Sequence, residues 1–395
     1  MKILLIAGQF YPDLAGSGTA THYIANDLAR RGHDVTVYVD SKNTYYEFNP
    51  HPNFTLEFIP DFKAFMTGGA GFKAPTEAIH SLLDKHSFDV IHVFSYMPML
   101  LLSLMKSRIT TPTFFTFWNA PDPGRRALGL YESPELDLQL ARQIINMKTY
   151  SEMILGSRCS YESALDLGAD PVTTSYAYHG IDMKKFLQDM HTNHVNIASY
   201  FDESFTDADT VITLPGRITA RKGVFEAVRA LATVRKQHDV KLLLTGTGSP
   251  IDTSAVAAVT SLAEQLHVRD SLHISTRMIS QEHMPSLYAR SALVIVPSYF
   301  EGLGFTAIEA LTAARPLITT DVAGLNEVGV NDVNCRMIPA KNTDALAEAV
   351  SELLINKAKA ARLAQNGPSS VKKFDMGLFV DYIEKTYRAT TTEVT

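Results

Sequence analysis

Two glutamates and two glycines in the second half of the chain have residue types and a spacing that could bind a polar, elongated ligand. Glu301 and Glu309 are separated by seven residues, and Gly302 and Gly304 follow the first glutamate. Glycine lets the backbone approach a ligand and direct its N–H groups at it, and a helix that begins after such a turn adds its positive end. A phosphate or a sugar hydroxyl fits that turn. Taken alone, such a pair is more often two solvated charges, since acidic residues favour first helical turns.

A basic turn earlier in the chain could supply positive charge to the same ligand. Residues 215–223 read Pro-Gly-Arg-Ile-Thr-Ala-Arg-Lys-Gly, so Arg217 and Lys222 flank one turn. The turn follows a predicted strand, Val211–Leu214, and precedes a helix predicted to begin at about Val224. Because two cations at a helix N-terminus are a natural clamp for a diphosphate, this turn predicts a diphosphate site.

Strand–turn–helix units would position these side chains. Ala292–Ser298 is a short continuous apolar run, typical of a strand buried on both faces. A good helix-forming segment, Thr306–Ala314, follows the glycines and is stopped before Pro316. The glycine turn is therefore expected at the carboxyl end of a strand, where ligands bind in open α/β sheets.

The amino terminus predicts the same kind of unit. Lys2–Ala7 is typical of a buried strand, Thr21–Arg31 of a helix and His33–Val39 of a second strand. Together they form the opening βαβ unit of a Rossmann-like sheet. Gly16 and Gly18 lie in the intervening loop, without the full spacing of the dinucleotide fingerprint. On the sequence alone, these two glycines could serve only to turn the chain.

The glycine turn and the segment after it resemble a known enzyme family. Phe-Glu-Gly-Leu-Gly-Phe at 300–305 with Glu309, followed by Pro-Leu-Ile-Thr-Thr-Asp-Val-Ala-Gly-Leu-Asn-Glu at 316–327, resembles the carboxyl-terminal half of the family-four retaining glycosyltransferases of the GT-B fold. Residues 215–223 are similar to the Gly-Arg…Lys-Gly motif of that family. The resemblance spans nearly the whole chain and is sharpest after residue 210.

The resemblance implies an α/β fold of the GT-B type, with two Rossmann-like domains facing each other across a cleft. The amino-terminal acceptor domain is expected over residues 1–185, joined by a carboxyl-terminal helix at about 374–395. The nucleotide-sugar donor domain is expected over residues 205–373. Residues 183–208 are polar and irregular in sequence and are expected to form the linker.

The activity implied by the resemblance is that of a retaining, hexosyltransferase-type glycosyltransferase. It would move a sugar from a nucleotide diphosphate sugar of UDP or GDP type to an acceptor hydroxyl, with neither a metal nor a separate cofactor. Arg217 and Lys222 would neutralise the departing diphosphate, Glu301 would lie at the donor sugar, and these three residues are assigned catalytic roles. Glu309 would bind the ribose. The other donor-binding positions are Gly16, Gly18, Gly216, Gly246, Arg277, Met278, Gly302, Leu303, Gly304 and Phe305.

Three other functions are compatible with this architecture. They are a sugar-nucleotide epimerase, a phosphorylase or sucrose-synthase-type enzyme, and a non-catalytic protein that binds sugar nucleotides. The intact set of two carboxylates and two cations argues against the last of these. Asp207-Ala-Asp209 looks superficially like a metal-binding Asp-x-Asp motif, but it precedes a predicted strand instead of following one, so no metal role is assigned.

Three positions depart from the family pattern. The family often carries a histidine after the strand that ends here at Trp118, and Asn119 follows that tryptophan. The indole could stack on a sugar face or belong to the core, and the core interpretation is slightly favoured. His179 replaces the asparagine of an Asn-Gly-Val-Asp turn, and a structural role is expected for it. Cys335 stands where the family tends to have glycine, in a distal loop.

The composition restricts the class of protein. The chain has 395 residues, of which 46% are hydrophobic and 20% charged, as is ordinary for a globular enzyme of two or three domains. Its net charge of −6 argues against nucleic acid as a partner. The two cysteines, Cys159 and Cys335, are far apart and fit a reducing compartment, and the amino terminus does not resemble a signal peptide. We therefore expect a cytoplasmic enzyme.

The expected partners are a nucleotide sugar and an acceptor that is a soluble sugar, an aglycone or a glycan. Residues 1–182 carry 14 Lys and Arg against 19 Asp and Glu, without a basic cluster that would attract an anionic bilayer, so at most peripheral membrane contact is expected. The apolar segment Phe62–Phe72 could instead touch an acceptor or a membrane, or be a surface insertion. Arg125 and Arg126 could bind an acidic group, although paired arginines are usually solvated. The oligomeric state is not predicted.

Overall fold

A computed structural model describes residues 1–8, 16–40, 54–59, 71–94, 96–118, 134–201, 205–246 and 253–392. The chain forms two compact units. The first contains residues 1–180 and 375–395, and the second contains residues 181–374. The carboxyl-terminal segment, residues 375–395, therefore belongs to the first unit.

The first unit is built on a seven-stranded parallel sheet. Its strand order is β3-β2-β1-β4-β5-β6-β7, so the chain first adds strands on one side of β1 and then on the other. Every neighbouring pair is parallel, as the opening βαβ pattern predicts. The strands are β1 Lys2–Ala7, β2 Asp34–Asp40, β3 Phe54–Ile59, β4 Val90–Phe94, β5 Thr113–Phe117, β6 Glu152–Leu155 and β7 Thr174–Tyr176.

Helices accompany the strands of the first sheet along the chain. They are α1 Gly16–Arg30, α2 Lys73–Lys85, α3 Tyr96–Leu104, α4 Pro134–Met147 and α5 Arg158–Asp166, with a short 3₁₀ helix at Lys106–Arg108. The last helix of the chain, Met376–Thr392, contacts α1 and buries Phe379, Ile383 and Tyr387 in the same core as β1. Because that apolar face is buried among residues of the first unit, the last helix is part of that unit's core.

The second unit is built on a six-stranded parallel sheet with the order β10-β9-β8-β11-β12-β13. Its strands are β8 Val211–Leu214, β9 Lys241–Leu244, β10 Leu272–Ile274, β11 Leu293–Val296, β12 Leu317–Thr320 and β13 Arg336–Ile338. Strands β8 and β11 are fully buried and almost purely aliphatic, as is typical of parallel strands covered on both faces. They are hydrogen-bonded neighbours, so the turns that follow them lie side by side at one edge.

The helices of the second unit alternate with its strands along the chain, except that one helix precedes the first strand and two follow the last strand. The last helix of the chain comes after them. They are α6 Met183–Thr192, α7 Val224–Val234, α8 Thr253–Gln265, α9 Met284–Arg290, α10 Phe305–Thr312, α11 Leu325–Val328, α12 Thr343–Ile355 and α13 Lys357–Ser370, and the last helix is α14. Short 3₁₀ helices lie at Ile197–Phe201, Ala220–Lys222, Arg269–Ser271 and Lys372–Phe374. Within the described ranges, every helix falls short of the length and apolar character that crossing a bilayer requires.

The expectation of an irregular linker over residues 183–208 is wrong. Helix α6 begins after Asp182, whose side chain accepts a hydrogen bond from the backbone N–H of Lys185 at 2.8 Å. Beyond it, other residues of the second unit form a buried cluster with Ile197, Ala198, Tyr200, Phe201 and Phe205. A few well-spaced apolar side chains among polar neighbours were sufficient to fix this segment to the core. The second unit therefore begins near residue 181 and not at 205.

Candidate active site

Two turns meet at the carboxyl ends of β8 and β11. The first, residues 215–223, leads into α7, and the second, residues 297–304, leads into α10. Gly223 has a φ of +71°, and a side chain at that position would overlap the carbonyl oxygen of Pro297. The backbone N–H of Tyr299 also donates to the carbonyl of Arg221 at 2.8 Å. The basic turn and the acidic turn are thus in direct backbone contact, which only glycine permits at position 223.

Glu301 is buried at this contact and is surrounded by donors. Lys222 Nζ lies 2.7 Å from one carboxylate oxygen, and the hydroxyl of Ser298 donates to the same oxygen at 2.7 Å. The guanidinium of Arg221 lies 3.4 Å from the other oxygen, and it also donates to the carbonyl of Phe300 at 2.9 Å. Glu301 is therefore an ion-paired group and not a solvated helix-end charge.

The electrostatic environment keeps Glu301 ionised. Burial alone would raise the pKa of this carboxyl, but the charges of Lys222 and Arg221 outweigh it and lower the pKa to about 2. Burial lowers the pKa of the Lys222 ammonium, and the nearby charge of Arg221 acts in the same direction, whereas the pair with Glu301 opposes both. The turn therefore concentrates positive charge around one carboxylate in a place with little water.

Arg217 provides a further cation next to this pair. Its side chain is exposed and makes no hydrogen bond or ion pair with any described residue, yet its charge contributes to lowering the pKa of Lys222. Gly216, with a φ of +115°, lies against the Lys222 side chain, and a Cβ there would be 3.8 Å from Nζ. Gly246, with a φ of +110°, packs on the backbone of Gly216 and Arg217. The structure thus gathers these sequence-predicted positions around one ammonium group.

Glu309 lies in α10 and is also buried, but its contacts are neutral. The hydroxyl of Tyr288 donates to one carboxylate oxygen at 2.6 Å, and the side-chain amide of Gln281 donates to the other at 3.4 Å. Burial raises the pKa of this carboxyl to about 7, against the smaller opposing effects of Tyr288, Gln281 and the charge of Lys222. The second glutamate is thus poised between its protonated and ionised forms at neutral pH.

The glycine pattern directly precedes α10, and the first turn of this helix contains an unsatisfied hydroxyl. Gly304 has a φ of +92° and precedes Phe305, the first residue of the helix. The side chain of Leu303 is buried, whereas Gly302 is only partly buried. The hydroxyl oxygen of Thr306 is buried and has no hydrogen-bond partner among the described residues. Because buried polar atoms are normally hydrogen-bonded, this hydroxyl is a candidate ligand contact.

Other sequence-predicted positions lie on separate segments of the chain. Arg277 and Met278 are exposed after β10, and the Arg277 guanidinium stacks on the ring of Tyr200 at 4.5 Å. Gly16 and Gly18 belong to the first unit, where the helix begins at Gly16, earlier than the predicted Thr21. These glycines are thus in the first turn of α1 and not in the preceding loop.

Sequence reasoning missed four side chains of the site. Arg221 and Ser298 contact Glu301, and Tyr288 and Gln281 contact Glu309. Arg221 had a usable signal, because it directly precedes Lys222 in the basic turn. Ser298 precedes the acidic turn by a few residues. Tyr288 and Gln281 had none, since they come from a separate helix and the segment before it.

A further contact ties the two turns together. Tyr299 donates to Glu226 of α7 at 2.8 Å, and Lys341 lies over the tyrosine ring at 4.9 Å. Burial and the neighbouring carboxylate raise the pKa of this tyrosine. Tyr299 therefore links the turn that carries Glu301 to the helix that follows Lys222.

In the first unit, two residues that depart from the family pattern, Trp118 and His179, pack against the core. The Trp118 ring stacks on Phe94 with a centroid distance of 5.3 Å, and it lies 4.9 Å from the ring of His179. His179 is buried, its Nδ1 lies 2.6 Å from the carbonyl of Gly156, and a side chain at Gly156 would overlap its ring. These contacts agree with the core interpretation of Trp118 and the structural interpretation of His179.

The remaining candidates carry less information. Cys335 is buried, and burial raises the pKa of its thiol to about 12. Asp209 accepts hydrogen bonds from the backbone and hydroxyl of Thr206 at 2.7 and 3.0 Å before β8, so the Asp-x-Asp segment caps a turn. Arg125, Arg126, Asn119 and most of Phe62–Phe72 lie outside the described residues.

Two family models match the chain, one in each half. Residues 14–185 match the model described as Glycosyltransferase Family 4, and residues 198–370 match that described as Glycosyl transferases group 1. An uncharacterized glycosyltransferase of Methanocaldococcus jannaschii is 25% identical over 362 residues, which are 90% of this chain and 89% of that protein.

Solved structures resemble the chain over its whole length. Sucrose-phosphate synthase from Thermosynechococcus elongatus has a TM-score of 0.82 at 18% identity and covers 100% of both chains. HepE of Anabaena in complex with UDP-glucose has a TM-score of 0.78 at 16% identity and covers 98% of this chain and 100% of its own. At such identities the likeness shows a shared fold.

Proposed function

The chain belongs to the family-four glycosyltransferases with the GT-B fold, and we propose that it moves a glycosyl group from a nucleotide diphosphate sugar to an acceptor hydroxyl with retention at the anomeric carbon. The observation that carries this proposal is the buried Glu301 held by Lys222 and Arg221 where two glycine turns meet at adjacent strand ends. The turns lead into α7 and α10, whose N-termini favour an anion.

The cations would stabilise the leaving group. As the bond between sugar and diphosphate breaks, negative charge develops on the diphosphate, and preorganised donors are worth most where charge develops. Lys222 has three hydrogens and uses one on Glu301, so the ammonium can bind a phosphate oxygen as well. Arg217 is exposed and has no side-chain partner within the described ranges, so it can bind a phosphate without losing another contact.

The two carboxylates would hold the two ends of the donor. Glu309 would accept hydrogen bonds from the ribose hydroxyls, and Glu301 would lie at the sugar. The buried hydroxyl of Thr306, at the start of α10 between them in sequence, would donate to a phosphate oxygen. Arg277 and Met278, exposed after β10, would flank the base. Gly16 and Gly18 are proposed as donor-binding positions because they match the family pattern.

Retention would proceed by attack of the acceptor on the same face from which the diphosphate leaves. The departing phosphate oxygen would take the acceptor proton, so this mechanism requires no protein nucleophile, and we assign none. The bond from the anomeric carbon to the phosphate oxygen breaks, the bond to the acceptor oxygen forms, and the proton ends on the diphosphate. The protein contributes orientation and charge stabilisation.

The reaction is proposed to be independent of a metal, because Lys222, Arg221, Arg217 and two helix N-termini supply the positive charge that a divalent ion would otherwise bring. Activity should therefore survive EDTA. Loss of activity on chelation, with recovery on adding Mg²⁺ or Mn²⁺, would show that the diphosphate is bound in another way.

The donor is proposed to be a UDP or GDP sugar, and the acceptor a sugar, an aglycone or a glycan. The UDP-glucose complex of the similarly folded HepE makes UDP-glucose a reasonable first donor to test. A panel of UDP, GDP and ADP sugars can be screened by thermal shift, since a ligand that binds the folded state raises Tm by mass action.

Transfer must then be separated from the alternative chemistries. Incubation of the stabilising donor with a panel of acceptors should give a glycosylated product with the anomeric configuration of the donor, which NMR coupling constants report. An isomerised donor without transfer would instead indicate an epimerase, and sugar phosphate formed from free phosphate would indicate a phosphorylase. An inverted product would contradict the proposed mechanism.

A further inference from the structure

The hydroxyl of Tyr288 occupies an unusual position beside Glu309. Tyr288 is fully buried in α9, and its oxygen lies 2.6 Å from a carboxylate oxygen of Glu309 and 3.4 Å from the backbone carbonyl oxygen of Thr306. Both acceptors satisfy hydrogen-bond geometry, but a phenol has a single hydrogen to donate. The phenol can therefore donate to only one of the two acceptors at a time.

Which acceptor receives the phenol hydrogen depends on the protonation state of Glu309. When Glu309 is ionised, the phenol donates to the carboxylate, as the shorter distance indicates. When Glu309 is protonated, its own O–H can donate to the phenol oxygen, and the phenol can turn its hydrogen to the Thr306 carbonyl. The carboxyl and the phenol are thus satisfied in both states, without moving a heavy atom far.

Among the described groups around Glu309, Tyr288 is its main hydrogen-bond partner. Gln281 reaches the second oxygen only at 3.4 Å. Lys222 is the one charged residue, among those described, whose field acts on this carboxyl, and it does so without contact. Helices α6, α11 and α13 and strands β11 and β12 also pack on α10, but no titratable group on them adds to these influences within the described ranges. Burial accordingly raises the pKa of Glu309 to about 7.

We propose that Tyr288 is a positioning residue that lets Glu309 be protonated in the empty site and give up that proton when the nucleotide binds. The inference rests on the proposed function, because it takes Glu309 as the group that accepts hydrogen bonds from the ribose hydroxyls. The proton passes from the Glu309 carboxyl to solvent buffer, the ribose hydroxyls donate to the resulting carboxylate, and Tyr288 keeps its own proton throughout.

The consequence is a pH-dependent affinity for the donor. Below the pKa of Glu309, binding must first remove a proton, so affinity rises with pH through the neutral range and levels off above it. Phenylalanine at position 288 removes the donor to the ionised form, which loses a charge-assisted hydrogen bond and is therefore the form destabilised more. Tyr288→Phe should weaken binding by about tenfold at neutral pH, and the loss should shrink as the pH is raised.

The test is isothermal titration of the full chain with UDP-glucose and GDP-mannose. Measurements in buffers of different ionisation enthalpy, from about pH 6 to about pH 9, count the protons released. Nucleotide sugars are better probes than UDP, whose terminal phosphate titrates with a pKa of about 6. Near the pKa of Glu309 we expect release of about half a proton per nucleotide, falling to zero at the alkaline end. Glu309→Gln should release none.

Matched variants isolate the role of the phenol. Tyr387 is a fully buried tyrosine of the first unit whose hydroxyl is hydrogen-bonded to His92, so Tyr387→Phe removes a comparable buried hydroxyl elsewhere. It should lower Tm and leave the pH dependence of binding as in the wild type. Gln281→Leu should leave the pH of half-release nearly unchanged, because that amide is a weak partner. If Tyr288→Phe does not fold, Gln281→Leu still tests the inference, because a large shift in its pH of half-release would contradict it.

The outcomes separate the inference from the proposed function. Binding of either nucleotide sugar without proton release would overturn the inference and leave the proposed function standing. Tyr288 would not control the protonation of Glu309 if Tyr288→Phe lost the same amount of affinity at every pH. The same conclusion would follow if Gln281→Leu shifted the pH of half-release as much as is expected for Tyr288→Phe. If no nucleotide sugar of the wider panel binds the wild type at any pH, the proposed function fails and the inference with it.

Discussion

The turn around Glu301 and the helix around Glu309 contain the same chemical group in nearly the same degree of burial, and the protein treats them in opposite ways. Glu301 is 8% exposed and Glu309 is 6% exposed. The pKa of the first is lowered to about 2 and that of the second is raised to about 7. Burial raises the pKa in both places, so the difference comes from the contacts.

The contacts differ in charge. Glu301 faces two cations and a serine hydroxyl, whereas Glu309 faces a phenol and an amide. A permanently ionised carboxylate beside cations suits a place where the charge of a leaving group develops. A neutral pocket with a switchable carboxyl suits recognition of hydroxyl groups. The spacing of the two glutamates in the sequence therefore does not reveal how different their environments are.

The largest expected effect is on the cationic side of the comparison. Lys222→Met and Arg217→Ala should each lower kcat/KM by about 10²-fold or more, because each removes a charge aimed at the diphosphate. Steady-state kinetics with the donor found by thermal shift measures this. Lys357→Ala, an exposed cation of α13, is the control and should leave the rate unchanged. Near wild-type rates in both variants would contradict the hypothesis that these two cations bind the diphosphate.

The two cation variants should differ in stability. Lys222 is partly buried and paired with the buried Glu301, so its removal leaves Arg221 as the one cation in contact with that carboxylate among the described residues. Breaking a buried pair typically costs about 3–5 kcal/mol. Arg217 is exposed and should tolerate replacement with little change in Tm. Equal Tm values for the two variants would mean that the pair with Glu301 contributes nothing to stability.

The next largest expected effect is that replacing each glutamate changes a different kinetic parameter. Glu301→Gln should mainly lower kcat, by about 10- to 100-fold, because its charge organises the cations that act in the transition state. Glu309→Gln should mainly raise KM, because a ribose contact is present in both ground and transition states. Equal increases in KM with kcat untouched in both variants would contradict this division of roles.

The pH dependence of unfolding sharpens the comparison further. The stabilising contribution of ionised Glu301 is present above its ordinary pKa of 4.5 and is lost as the pH falls towards 2. For Glu309 the sign is reversed. Its folded-state pKa is higher than its unfolded value, so it lowers the free energy of unfolding as the pH rises from 4.5 to about 7.

Unfolding of the ligand-free variants across that pH range tests both signs. Relative to the wild type, Glu309→Gln should gain stability as the pH rises from 4.5 to 7, by at most about 1.4 kcal/mol per pH unit for one proton. Glu301→Gln should show its full deficit above 4.5 and lose it towards 2. Parallel pH profiles for the two variants would refute the difference between the two environments.

The smallest effect concerns the link between the turns. Tyr299→Phe removes the hydrogen bond to Glu226 and should cost about 1 kcal/mol of stability. Because this bond holds the turn of Glu301 and does not touch Glu309, kcat should fall a few-fold and nucleotide affinity should stay unchanged. A larger change in affinity than in kcat would show that the tyrosine acts on the other glutamate.

Much of the fold followed from local patterns. Continuous apolar runs identified β1, β8 and β11 as buried parallel strands, and glycine turns after β8 and β11 marked the edge of the second sheet where the candidate site lies. The prediction for the segment 183–208 was wrong because polar residues outnumber its apolar ones and hide their pattern. Met183, Phe186, Leu187 and Met190 do follow helical spacing after the N-cap Asp182. The packing of this segment on the second unit depends on partners such as Ile279 and Leu287, far along the chain.

The sequence by itself determined that the chain is an α/β protein that resembles the GT-B glycosyltransferases, and it singled out two glutamates, two cations and a set of glycines as candidate site residues, because these features lie in short motifs read from neighbouring residues. Only the tertiary structure decided what each group experiences. Arg221 and Lys222 reach Glu301 because β8 and β11 are adjacent in the sheet, and Tyr288 reaches Glu309 because α9 packs on α10. A pKa depends on burial and on charges within a few ångströms, and residues far apart in the chain supply both.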